Sequence, residues 1–148
     1  MWAKEFRFLV FVGLYSFLFW EEEFSREDFQ KNDLEALKTM FYADSDFTEE
    51  EIKKALDFIL KTHANKSDYK KILLNYLNNW DKTYLLTQSI LFTFLAEIGD
   101  IQKKEVEKEN IVGKYIRLTQ EMVGGQSTAL VHAVASKILE DKLKIQKD

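Results

Sequence analysis

The chain has 148 residues, 46% of them hydrophobic and 14% aromatic, enough apolar mass for one folded domain, so disorder as the main state is excluded. It contains no proline, only five glycines and no cysteine, which removes a disulfide framework and any thiolate nucleophile or metal ligand and agrees with a cytoplasmic setting. A net charge of −4 argues against a general polyanion binder, so nucleic-acid contact would need a local basic patch.

Apolar residues recur at helical spacing nearly throughout. The first predicted helix covers residues 3–20 and holds the apolar run FLVFVGLYSFLFW (Phe8–Trp20), preceded by Lys4 and Arg7 as in a secretory leader. That run is shorter than the roughly 20 apolar residues of a spanning helix. It passes directly into Glu21, Glu22 and Glu23 without a small-residue cleavage site. A helix apolar on every side is expected at the buried centre of a bundle, and no membrane is implied.

Ser25 and Asp28 stand at capping-box spacing before a second helix near 26–43, with Leu34, Leu37 and Phe41 on one face. Thr48 and Glu51 repeat the signal and open a third, where Ile52, Ala55, Ile59 and Leu60 share a side. A fourth carries the stripe Tyr69, Ile72, Leu73, Tyr76, Leu77 and Trp80, which is expected to close Trp80 onto the core. The fifth, near 83–99, presents Leu91, Phe94, Leu95 and Ile98. After the charged stretch Lys103–Asn110, a sixth bears Val112, Tyr115, Ile116 and Met122. Gly124 and Gly125 break the chain before a seventh with Leu130, Val131, Val134, Ala135 and Ile138, which ends in a lysine-rich tail. No repeat and no strand alternation is visible. The expected fold is an all-α bundle of about seven helices, one domain over residues 1–148.

Catalytic patterns are missing. Gly124-Gly125 lacks the Lys and Ser/Thr of a phosphate loop. His63 and His132 have no acidic residue three positions before them, so the Glu-x-x-His metal pattern of helical bundles is absent. His132, inside the apolar run of the last helix, is expected to pack. Ser127 and Ser136 lie near it, but nothing supplies an orienting acid or an oxyanion hole. The acidic runs Glu21–Glu23 and Glu49–Glu51 suit a solvated link and a helix N-terminus. The expectation is a protein that binds other macromolecules, with no catalytic residue, metal or cofactor.

Three segments, in order, resemble the NusB family of bacterial transcription antitermination factors. In EFRFLVFVGLY (Glu5–Tyr15), Arg7 falls on the last arginine of the family's R-R-x-A-R-E stretch, Lys4 stands for an earlier one, and Leu14-Tyr15 matches its Leu-Tyr. Ala3, Glu5 and Phe6 depart from the pattern. In Tyr69–Ile98, Tyr76, Leu77, Asn79 and Trp80 match I-x-x-Y-L-x-N-W, and Ile90, Leu91 and Glu97 match the following I-L-x-x-x-x-x-E helix. Phe92 replaces an arginine there. In Ile111–Leu139, Leu118 and Met122, then Ser127, Leu130, Val131, Ala133 and Val134, keep the family's register. Gly113-Lys114 replaces Asn-Glu, Leu130 replaces Phe and His132 replaces Asn.

The resemblance implies a three-helix N-terminal half (about 1–64) and a four-helix C-terminal half (about 65–148). It implies binding of single-stranded boxA-type RNA from ribosomal RNA leaders, jointly with NusE, a small-subunit ribosomal protein, within the RNA polymerase elongation complex. By matching position the RNA surface would use Lys4, Arg7, Tyr15, Gln126, Ser127 and Leu130. The NusE contact would lie around Trp80, Tyr84, Thr87 and Gln88. The physics is consistent: cations meet phosphates and an aromatic face stacks an unpaired base. Leu130 cannot stack, and the lost arginines remove phosphate contacts, so RNA affinity is expected to be weak. An interaction module that keeps the partner and has lost the RNA is the alternative.

Overall fold

The computed structural model describes the backbone of residues 1–23, 26–43, 47–101 and 108–147, and their side chains except at 22, 23, 26–34, 108, 109 and 143–147. Seven α-helices and no strand occur among the described residues: α1 Lys4–Glu23, α2 Arg26–Ala43, α3 Glu49–Ala64, α4 Lys66–Leu74, α5 Leu85–Asp100, α6 Lys108–Met122 and α7 Gln126–Lys147. The Ser25 capping signal and most of Lys103–Asn110 lie outside the described residues, as does the side chain of Leu34.

Local chemistry sets several boundaries. The Thr48 hydroxyl accepts from the Glu51 amide at 3.1 Å and the Glu51 carboxylate accepts from the Thr48 amide at 3.2 Å, the reciprocal box that starts α3. Gly124 and Gly125 take φ of +79° and +59°, left-handed backbone that glycine adopts without a Cβ penalty, and so α6 turns back onto α7. The fourth helix is shorter than the periodicity predicts. It stops at Leu74, its last turn tightened by Asn75, whose amide bonds to Ile72 and Leu73 carbonyls. Trp80 sits instead in a 3₁₀ turn, Trp80–Lys82. Asn75, Asn78 and Asn79 account for the break by propensity, because asparagine is a poor residue for helix interiors and a favoured one in turns.

The centre of the bundle is α5, not α1. Thr87 and the whole run from Ser89 to Ile98 are buried. The hydroxyls of this run are satisfied within the helix: the Ser89 hydroxyl donates to the Leu85 carbonyl at 2.8 Å and Thr93 to that of Ser89 at 2.7 Å. Helix α1 packs on α5 and α3 through Phe6, Val10, Phe11, Leu14 and Phe17, while Phe8 and Phe19 stay 42% exposed on its outer side. At Gly13 α1 touches α3 so closely that a Cβ would run into the Ile59 side chain, 2.8 Å from its Cγ1. The end of α1 is tied down by Glu21, which pairs with Lys66 and, at 3.3 Å, with His63. Burial alone would raise the Glu21 pKa, but these two partners outweigh it and hold the carboxyl below its ordinary value. His132 is exposed on α7 rather than packed, beside the exposed Ala129 and Ala133 and on a shallow cavity shared with Ile116 and Gln120 of α6. No described helix is long and apolar enough to cross a membrane.

Candidate functional site: a groove at the start of α5 and α7

The chain reversal after α4 and the glycine turn before α7 bring two sets of sequence-predicted residues together. Tyr84 and Thr87 at the start of α5 meet Gln126, Ser127 and Leu130 at the start of α7 across a cavity of about 510 Å³. Its remaining walls are the loop Tyr76–Asn79 with Lys82 and Thr83. The Thr87 hydroxyl donates to the Ser127 hydroxyl at 3.3 Å, and both side chains are buried, so they form the floor that joins the two helices. Tyr84 stands at the rim, 69% exposed.

Gln88 and Trp80 shape this groove from behind. The Gln88 side-chain amide donates to the carbonyls of Trp80 at 3.3 Å and Thr83 at 3.0 Å, which pins the 3₁₀ turn against α5. Trp80 is half-buried, edge-on to Phe92 at 5.7 Å, with Lys70 Nζ 5.6 Å from its ring centre. The Tyr76 hydroxyl donates to Asp141 at 2.8 Å, and burial together with that carboxylate raises the phenol's pKa. Lining groups are thus amides, hydroxyls, the Tyr76 and Tyr84 phenols and the apolar Leu77 and Leu130, with Lys82 the one cation among the lining residues. Such a set hydrogen-bonds and stacks; it does not neutralise a run of phosphates.

The other half of the predicted RNA surface lies elsewhere. Arg7 is 3% exposed, and its Nε and Nη2 donate to the two Glu97 carboxylate oxygens at 2.7 and 2.9 Å. Nη2 also donates to the Trp2 carbonyl at 3.0 Å. Glu97 accepts further from the Trp2 amide at 3.2 Å and from the Tyr115 hydroxyl at 2.9 Å. Burial alone would lower the Arg7 pKa, but Glu97 outweighs it and holds the guanidinium charged. The expectation that Arg7 meets phosphate is therefore corrected: a buried carboxylate already occupies its fork. Lys4 is exposed and pairs with Glu121 at 3.6 Å. Tyr15 is half-buried on α1 with its ring 6.1 Å from Phe19.

Thr87 and Glu97 mark the two regions on α5, about 15 Å apart along the axis at 1.5 Å per residue. Lys4 and Arg7 belong to one end, and Gln126, Ser127 and Leu130 to the other. Asn78 and Asn79 in the groove wall were not predicted as contact residues; their signal was the amide-rich break between two helical stripes. Glu97 carried a signal too, a carboxylate inside an apolar helix, which needs a cation to be buried. No group of metal-ligating side chains occurs among the described residues. Compared with known proteins, the chain matches no family model, no curated protein and no solved structure.

Proposed function

We propose that this chain is a NusB-like antitermination factor, which binds a NusE-type ribosomal protein through the groove at the start of α5 and α7 and joins it on boxA-type RNA. One observation supports the reading above others. Arg7 and Glu97, matched in two separate motifs of the resemblance, are each other's buried partners across 90 residues of chain. Chance matches to a helical pattern have no reason to pair. The groove adds support, because residues matched for partner and for RNA line the same cavity. In this reading Tyr84 and the surrounding amides contact the ribosomal protein first, and the complex then meets the RNA polymerase elongation complex.

A second reading has its own observation. With Arg7 buried against Glu97 and Lys4 paired with Glu121, the arginine-rich block retains little free positive charge. That favours an interaction module which keeps the protein partner without selective RNA binding. Size-exclusion of the chain mixed with NusE, followed by salt-dependent boxA titration of the complex, separates the two. Co-elution at micromolar concentration with RNA binding that depends on boxA sequence supports the first. Co-elution without RNA selectivity supports the second, and no co-elution overturns both.

A further inference from the structure

A second groove, which shares no lining residue with the first, lies between the outer side of α1, the end of α2 and α6. It encloses about 510 Å³, within the range of small-molecule sites, about 300–1,000 Å³. Phe8, Val12, Met40, Phe41, Phe47 and Leu118 make its apolar walls. Phe8 and Met40 remain 42% and 47% exposed, an uncommon arrangement for two large apolar side chains facing one cavity.

The charges around it are asymmetric. Arg7 and Lys4 line the groove but are engaged by Glu97 and Glu121. Lys114 and Arg117 sit one turn apart on the face of α6 that borders the groove, and no described carboxylate lies within ion-pair distance of either. Glu5 is the one opposing charge on the rim that makes no described ion pair. An apolar trough bordered by two cations that have no ion pair among the described residues fits a molecule with an apolar tail and an anionic head.

We propose that this groove binds an amphipathic monoanion of the fatty-carboxylate class, with the tail along Phe8, Val12, Met40 and Phe47 and the carboxylate between Lys114 and Arg117. A neutral or cationic head would leave these cations without a partner, so the head's charge sets the selectivity. The inference is independent of the groove at α5 and α7.

Dodecanoate, dodecanol and dodecyltrimethylammonium, each below its micelle concentration, provide the test by isothermal titration calorimetry on the whole chain. Saturable one-to-one binding of dodecanoate is expected, with the alcohol and the ammonium weaker by at least about tenfold, the scale of one lost charge-assisted hydrogen bond. The double change Lys114→Gln and Arg117→Gln should remove that preference while leaving the unfolding midpoint unchanged, since both groups lack described ion pairs. Glu5→Gln should tighten dodecanoate severalfold. Phe8→Ala should weaken acid and alcohol together. Equal binding of the three amphiphiles, no saturable binding of dodecanoate, or a preference that survives the double change would each overturn the proposal.

Discussion

Arg7 and Glu97, with 3% and 0% of their side chains exposed, meet through two parallel hydrogen bonds and clamp α1 to the centre of α5. Tyr115 of α6 shares the same carboxylate, its ring 5.3 Å from the guanidinium carbon and edge-on to Phe94. Three helices thus depend on one ion pair. Loss of one partner of a buried pair costs about 3–5 kcal/mol, because the other charge is left uncompensated. Glu97→Gln should therefore lower stability by about that much in urea unfolding. Adding Arg7→Met should cost less than the sum of the single changes, as the stranded charge goes with it. A single-site cost under about 1 kcal/mol would mean that water reaches the pair.

The same network predicts alkaline sensitivity. Burial first, and then the charge of Glu97, push the Tyr115 phenol well above its ordinary value. A group whose folded pKa is raised contributes stability that is fully present below its unfolded value, about 10 for tyrosine, and is lost as pH rises towards the folded value. Wild-type protein should lose stability steeply above about pH 10, and Tyr115→Phe, with nothing to ionise there, less steeply. At neutral pH the Phe variant should be less stable by about 1.5–3 kcal/mol, the worth of a hydrogen bond to a charged acceptor. Parallel stability curves for the two proteins would place the alkaline transition on another group.

Helix contact at Gly13 gives a test with a change of sign. Alanine there gains about 1 kcal/mol of helix propensity, but its methyl group meets Ile59, which is fully buried and cannot swing into solvent. Overpacking a core costs about 1–3 kcal/mol, so Gly13→Ala should be net destabilising. In an Ile59→Ala background the space is open, and the same change should become stabilising. If Gly13→Ala stabilises both backgrounds, α1 and α3 pack less closely than the structure has them.

Much of the fold was legible because helices announce themselves locally. Apolar spacing marked all seven, Thr48 and Glu51 marked a start, and Gly124-Gly125 marked a turn. Errors arose where the deciding partner was distant or the competing signal weak. Apolar spacing carried the fourth helix through to Trp80, although asparagines end it at Leu74. The first helix looked the most apolar, but buried hydroxyls that bond within α5 let that helix take the centre. The candidate site was half legible. Tyr84, Thr87, Gln126, Ser127 and Leu130 do converge, whereas Arg7 shares spacing with Lys4 and yet faces Glu97. No local pattern reports a partner 90 residues away.

Tyr84 gives the most direct test of the groove as a partner site. It is 69% exposed, whereas its pocket neighbours Thr87 and Ser127 are buried and bonded to each other, so an accessible ring stands over a buried floor. An exposed aromatic beside a cavity is the usual anchor of an interface, where truncation removes about 2 kcal/mol or more of binding. If the proposed function holds, Tyr84→Ala should weaken binding of NusE about thirtyfold or more, measured by titration calorimetry. Its effect on unfolding should stay within about 0.5 kcal/mol, as for surface changes generally. Ser127→Ala should behave differently: it strips the Thr87 hydroxyl of its acceptor and should lower stability by about 1 kcal/mol with a smaller effect on binding. NusE binding that ignores Tyr84→Ala but falls with substitutions on the α1 side would move the partner surface to the far end of α5.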